Sequence, residues 1–127
     1  MRCVLVVDDD ATSRDSLAQI LRREGIAVRL AVDAYDAIRE IREMSFDACV
    51  ADIVMPGSGF RVVSSLRALQ PKTPIILMTA YDTVEMRARA SENAVFAYLI
   101  KPAPPEQIVA VLKRAFEYHE ALLKRAS

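Results

Sequence analysis

The sequence predicts a doubly wound α/β domain with a five-stranded parallel sheet in the order 2-1-3-4-5. Three observations carry this. Short apolar runs alternate five times with segments of helical periodicity. The runs at Cys3, Ala48 and Ile75 are nearly continuous, as strands covered on both faces must be. The polar residues with chemistry to offer fall where the strands end, the edge at which open α/β sheets bind ligands.

The first strand runs from Cys3 to Val7 and exits into Asp8, Asp9 and Asp10. Cap candidates Asp10 and Thr12 open a helix with Leu17, Ile20 and Leu21 on one face and Arg14, Arg22 and Arg23 on another, and Gly25 ends it. The second strand is Ile26 to Ala31, and its helix, about Ala34 to Met44, turns Ile38 and Ile41 inward. The third strand, Ala48 to Ala51, leads to Asp52. Its helix places Val62, Val63, Leu66 and Leu69 inward and stops at Pro71. Ile75 to Met78 is the fourth strand, followed by Thr79-Ala80 and an Ala-rich, weakly apolar helix from Thr83 to Asn93. The fifth strand, Ala97 to Ile100, exits at Lys101-Pro102. The last helix begins at Pro104-Pro105, where proline suits a first turn, and carries a stripe of Ile108, Val111, Leu112 and Ala115. Continued to Arg125 it would run about 30 Å, enough to overshoot the domain toward a partner or a downstream output domain. Beyond the stripe, Phe116, Tyr118, Leu122 and Leu123 read either as a frayed end or as that overhang. Right-handed crossovers and short connections make the expected topology flavodoxin-like, (βα)5.

At 127 residues and 53% apolar composition, the chain has enough to bury one core, so residues 1–127 are expected to form one domain. Lys plus Arg and Asp plus Glu both number 17, which excludes a global field toward nucleic acid or an anionic membrane. The arginines are spread over several helices with no aromatic cluster, so direct nucleic-acid binding is not expected. Cys3 and Cys49 lie in apolar runs as small hydrophobes, and the start at Met1-Arg2 is neither a signal peptide nor a spanning helix. A cytoplasmic location is the expectation.

Strand ends therefore bring Asp8 to Asp10, Asp52, Thr79 and Lys101 to one edge. A turn and a helix cap explain one of the three consecutive acids and not the others. Asp52 alone could simply end a strand, Thr79 alone could be a satisfied core hydroxyl, and Lys101 alone could be surface decoration. Together they mean more. Two carboxylates about 5 Å apart at an effective dielectric near 20 repel by roughly 3 kcal/mol, so the cluster calls for a cation. Hard oxygen ligands without His or Cys suit Mg²⁺ better than Zn²⁺. The one histidine, His119, is expected to be solvated on the last helix. A carboxylate can attack phosphorus in line if the incoming charge is neutralised, which a magnesium ion held by Asp8, Asp9 and Asp52 and the Lys101 ammonium would do.

These residues resemble the response-regulator receiver family over essentially the whole chain. Val6-Val7-Asp8-Asp9-Asp10 is similar to its acidic pair, and Asp52-Ile53-Val54-Met55-Pro56-Gly57 to its acceptor loop. Met78-Thr79-Ala80 is similar to its switch motif and Tyr98-Leu99-Ile100-Lys101-Pro102 to its lysine motif. The resemblance implies that Asp52 is the phosphorylated residue, that Asp9 and Asp52 ligate Mg²⁺ with help from Asp8, and that the Val54 carbonyl completes the protein ligands. It implies that Thr79 and Lys101 bind the phosphoryl group, that Tyr98 swings inward with Thr79, and that Lys101-Pro102 is cis. It further implies a phosphoacceptor switch that assists its own phosphorylation and dephosphorylation rather than an enzyme. The implied partners are a sensor histidine kinase or phosphotransfer protein, a homodimer through the fourth helix, fifth strand and fifth helix, and a downstream output domain. Two departures stand out. Gly57-Ser58-Gly59 is one residue shorter than the family loop, and Ala94-Val95 replaces a common Gly-Ala, which bears on the start of the third helix and the end of the fourth.

Two rival readings exist. Asp8-Asp9-Asp10-Ala11-Thr12 also fits the nucleophile motif of haloacid-dehalogenase-type phosphatases, with Asp8 as nucleophile and Asp10 as general acid. Those enzymes need an acidic metal-binding pair after the lysine, and no Asp follows Lys101. The other rival is a receiver-like interaction module whose switch does not use phosphorylation.

Overall fold

The computed structural model describes residues 1–125. Strands β1 (Cys3–Val7), β2 (Ala27–Ala31), β3 (Ala48–Asp52), β4 (Ile75–Thr79) and β5 (Ala97–Ile100) alternate with helices α1 (Ala11–Arg23), α2 (Ala34–Glu43), α3 (Gly59–Leu69), α4 (Val84–Glu92) and α5 (Pro105–Arg125). All the strand pairings are parallel, in the order β2-β1-β3-β4-β5. The expected topology is the observed one.

Alternation along the strands builds two cores. Leu5, Val7, Cys49, Ala51, Ile75 and Leu77 face α2, α3 and Ala90 of α4. Val4, Val6, Val50, Ile76, Met78 and Leu99 face α1 and the apolar stripe of α5, where Ile108, Val111, Leu112 and Ala115 are all buried. Because β1, β3 and β4 are covered on both sides, their sequences are apolar at successive positions, and the only place left for a polar side chain is where the strand ends. The sheet therefore exports its polar residues to its edges.

Two expectations about side chains are corrected. Leu69 is half-exposed on the last turn of α3, because the neighbouring Gln70 turns inward instead. The Gln70 amide donates to the carbonyls of Ile41 and Met44 and accepts from the Phe46 amide, tying the ends of α2 and α3 together. His119 is not solvated: it is buried on α5 with Nδ1 3.4 Å from Asp47 Oδ1. Asp47 also accepts the amide of Cys3, so this pair docks α5 beneath the starts of β1 and β3. Phe116 is buried under the Arg2 guanidinium, while Tyr118, tilted against Phe96, and Leu123 remain about half-exposed near the end of the helix.

The ends of α1 and α4 use the same hydrogen-bond pattern with different residues. After α1, Ile26 N–H bonds to the Leu21 carbonyl and Gly25 N–H to that of Arg22, with Gly25 at φ +77°. After α4, Val95 bonds to Ala90 and Ala94 to Ser91, but the left-handed position is Ala94 at φ +52°. Glycine reaches that region freely and an alanine Cβ is crowded there. Ala94→Gly is expected to stabilise the domain by about 0.5–1 kcal/mol, the relief of strain exceeding the entropy gained by the unfolded chain. Chemical denaturation of the two proteins measures it.

Candidate functional site

Sheet register places the chemistry. Val7 pairs with Ala51, so Asp8 and Asp52 leave the sheet side by side at its centre, and Thr79 pairs with Ile100, so Lys101 follows on the outer strand. The Lys101 amide bonds to the Thr79 carbonyl at 2.8 Å, and the peptide bond between Lys101 and Pro102 is cis, as the resemblance implied.

The Lys101 side chain reaches back across β4. Its ammonium donates to Asp8 Oδ2 at 2.8 Å and to Asp52 Oδ2 at 2.9 Å. Each carboxylate spends its other oxygen on a backbone amide: Asp8 Oδ1 accepts from Asp10, and Asp52 Oδ1 from Val54 at 3.2 Å. Arg14, in the first turns of α1, donates to the Asp8 carbonyl at 2.9 Å and so fixes the turn from which Asp8 and Asp9 project. Asp9 is exposed beside them, and Asp8, Asp9 and Asp52 each bring one oxygen within 4.8 Å of the others.

Three carboxylates against one ammonium leave two negative charges uncompensated. Burial pushes the Asp52 carboxyl above its ordinary value, beyond what the Lys101 hydrogen bond and charge can reverse. For Lys101, burial acts to lower the pKa, but the bonds and charges of Asp8 and Asp52 outweigh it and leave the ammonium more basic than usual. The residues fit a hard divalent cation: they offer oxygen only, and the excess charge is that of one such ion.

Glycines and a strained serine shape the connection after Asp52. A Cβ at Gly59 would lie 2.5 Å from the Asp52 carbonyl oxygen, so α3 can begin against the end of β3 only with glycine there. Gly57 at φ +83° packs on Ala34 and Tyr35 of α2, and Ala34 N–H bonds to the Pro56 carbonyl. Ser58, at φ +69°, caps α3 by accepting the Phe60 amide. The short loop turns tightly by placing two successive residues at positive φ.

The other two expected site residues bond elsewhere. The Thr79 hydroxyl is buried, accepts the Tyr81 amide at 2.9 Å and lies 4.0 Å from the Met86 sulfur. The Tyr98 hydroxyl donates to Asp82 at 2.7 Å. Asp10, the general acid of the phosphatase reading, instead caps α1 through the amide and hydroxyl of Ser13. Sequence reasoning missed Arg14, Gly59 and Asp82, whose roles follow from contacts between elements and leave no local pattern. A cleft of about 410 Å³ opens from Asp8, Asp52 and Lys101 toward Leu17, Pro105 and Ile108 between α1 and α5.

This edge, with paired acids after β1, an acid at the end of β3 and a lysine after β5, is the arrangement expected from the resemblance to receiver domains. The family model described as response regulator receiver domain matches residues 4–113, and the chain belongs to that family. Among curated relatives, the transcriptional regulatory protein PrrA of Mycobacterium tuberculosis is 39% identical over 96% of this chain and 50% of its own length. The transcriptional regulatory protein ZraR of Escherichia coli is 33% identical over 94% of this chain and 27% of its own length. The chain thus spans half or less of these relatives. A solved receiver domain from Methanospirillum hungatei superposes with a TM-score of 0.91 at 28% identity, covering 95% of this chain and 98% of that one. The chemotaxis protein CheY4 of Vibrio cholerae gives 0.84 at 29%, covering 91% and 98%. No helix among the described residues is long and apolar enough to cross a membrane.

The raised pKa of Asp52 has a measurable sign. A carboxyl whose folded pKa exceeds its unfolded value of about 3.9 costs stability once ionised, and the cost disappears as pH falls from the folded value toward the unfolded one. In chelator, Asp52→Asn is therefore expected to be more stable than the native chain at neutral pH, since Lys101 keeps Asp8 as its partner. Denaturant midpoints measured down to about pH 4 should show the gap closing. A gap that widens in acid would contradict the assignment.

Proposed function

We propose that Asp52 accepts a phosphoryl group from a phosphohistidine of a sensor kinase or phosphotransfer protein, and that the resulting acyl phosphate switches the output surface of the domain. The observation that supports it most is the Lys101 ammonium held against a half-buried Asp52 beside two further acids. An Asp52 carboxylate oxygen attacks phosphorus, the phosphorus–nitrogen bond to imidazole breaks, and the imidazole leaves with the electron pair. Asp8, Asp9 and Asp52, with the Val54 carbonyl, would hold Mg²⁺, which when bound supplies positive charge to the phosphoryl oxygens. Lys101 supplies the second positive charge, exchanging its bond to Asp52 for one to a phosphoryl oxygen.

Release of the signal would run through Thr79 and Tyr98. A phosphoryl group adds about −1.5 to −2 of charge and new acceptor oxygens, for which the Thr79 hydroxyl can give up its present contacts. Movement of Tyr98 with it would alter the face formed by α4, β5 and α5, where Tyr81, Val84 and Ile100 are already exposed. Homodimerisation or contact with an output domain through that face is the consequence, with cytoplasmic signalling as the setting. A coupling of about 1–3 kcal/mol suffices for such a switch.

Intact mass after incubation with acetyl phosphate and Mg²⁺ tests the reaction. One added phosphoryl group is expected in the native chain and none in Asp52→Asn or in chelator. No addition under any condition would favour the phosphorylation-independent module, and addition that survives Asp52→Asn but is lost in Asp8→Asn would restore the phosphatase reading.

A further inference from the structure

The start of α4 and the side chain of Tyr98 are held by one carboxylate. Asp82 lies in the loop between β4 and α4, outside the acid cluster. It accepts the Tyr98 hydroxyl at 2.7 Å and the Arg87 guanidinium through Nε at 2.8 Å and Nη2 at 2.6 Å. Arg87 also lies over the Tyr98 ring, 5.8 Å from its centroid, which closes a triangle among loop, α4 and β5. The electrostatics of the contact follow from its geometry. The Arg87 bond, then the Tyr98 bond, hold the Asp82 carboxyl below its ordinary value, and burial, then Asp82, push the Tyr98 phenol up to about 12.

An isolated exposed ion pair contributes little, but the first turn of α4 is lightly held. The helix is anchored further along, by buried Ala90, by Met86 packed partly buried against the core and by Arg89 4.1 Å over the Phe60 ring, whereas Val84 and the preceding Tyr81 are exposed. On the inner side of the same loop, the Tyr81 amide is bonded to the Thr79 hydroxyl. Thr79 cannot turn toward Asp52 without releasing Tyr81, the residue next to Asp82.

We infer that the Asp82–Arg87–Tyr98 contact is a latch: it keeps Tyr98 and the first turn of α4 in place while Asp52 is unmodified, and opens when Thr79 turns to a phosphoryl group. The inference rests on Asp52 being the acceptor. Asp82 and Arg87 are then positioning residues whose strength sets how much of the population is already open before phosphorylation. Thr83 caps α4 independently through the Met86 amide, so loss of the latch leaves the helix its N-cap.

Asp82→Asn removes the charge, and Tyr98→Phe removes only the hydroxyl. In the unphosphorylated protein, each is expected to speed amide hydrogen exchange in the first turns of α4 by about tenfold, within the range of a usable coupling. Each should also speed phosphorylation of Asp52 by acetyl phosphate and Mg²⁺. The double variant should fall well short of the product of the two single effects, because the Tyr98 hydroxyl and Arg87 meet on the same carboxylate. Phosphoryl uptake with unchanged α4 exchange, or effects that multiply in the double variant, would overturn the latch alone. Absence of uptake in every variant would overturn the acceptor reading and the latch's regulatory role with it.

Discussion

The Lys101 ammonium, 2.8 Å from Asp8 and 2.9 Å from Asp52, is the interaction around which the functional edge is arranged. Without it two carboxylates from adjacent strands would face each other with no compensation as the sheet closes. With it they can be drawn in, and Asp52 can be half-buried at the cost of a raised pKa. The compensation is incomplete. Asp9 adds a third acid, and the excess of two negative charges equals the charge of one divalent cation.

Much of this was legible because a sheet covered on both faces forces polar residues to its ends. Apolar runs located the strands to within a residue or so, and the acids, threonine and lysine following them had nowhere to go but the shared edge. Orientation was not legible. Thr79 ends β4 and Tyr98 lies on β5, and their hydroxyls bond to Tyr81 and Asp82, because the loop before α4 offers them partners in the unmodified protein. Spacing along the chain cannot report which of two partners a side chain chooses.

The same limit explains the other surprises. His119 sits on a helix position that reads as polar, and only the approach of Asp47 from the start of β3 shows that it is buried and paired. Gly59 reads as a turn residue, while its actual constraint is the Asp52 carbonyl 2.5 Å from where a Cβ would be. Both departures from the family pattern that the sequence revealed are accommodated by positive φ at a non-glycine residue, Ser58 in one case and Ala94 in the other. The scaffold thus absorbs its irregularities in the loop after Asp52 and at the end of α4, and leaves the central strands regular.

The central claim is that Asp8, Asp9 and Asp52 form a divalent-cation site that Lys101 leaves with two negative charges unbalanced. The most direct measurement is the unfolding stability of the native chain and of Asp9→Asn, each with saturating Mg²⁺ and with chelator. A ligand at 100 times its Kd adds about 2.7 kcal/mol to the state that binds it. The account expects a gain of that order in the native chain and its loss in Asp9→Asn. Equal gains in both proteins, or none in either, would contradict it.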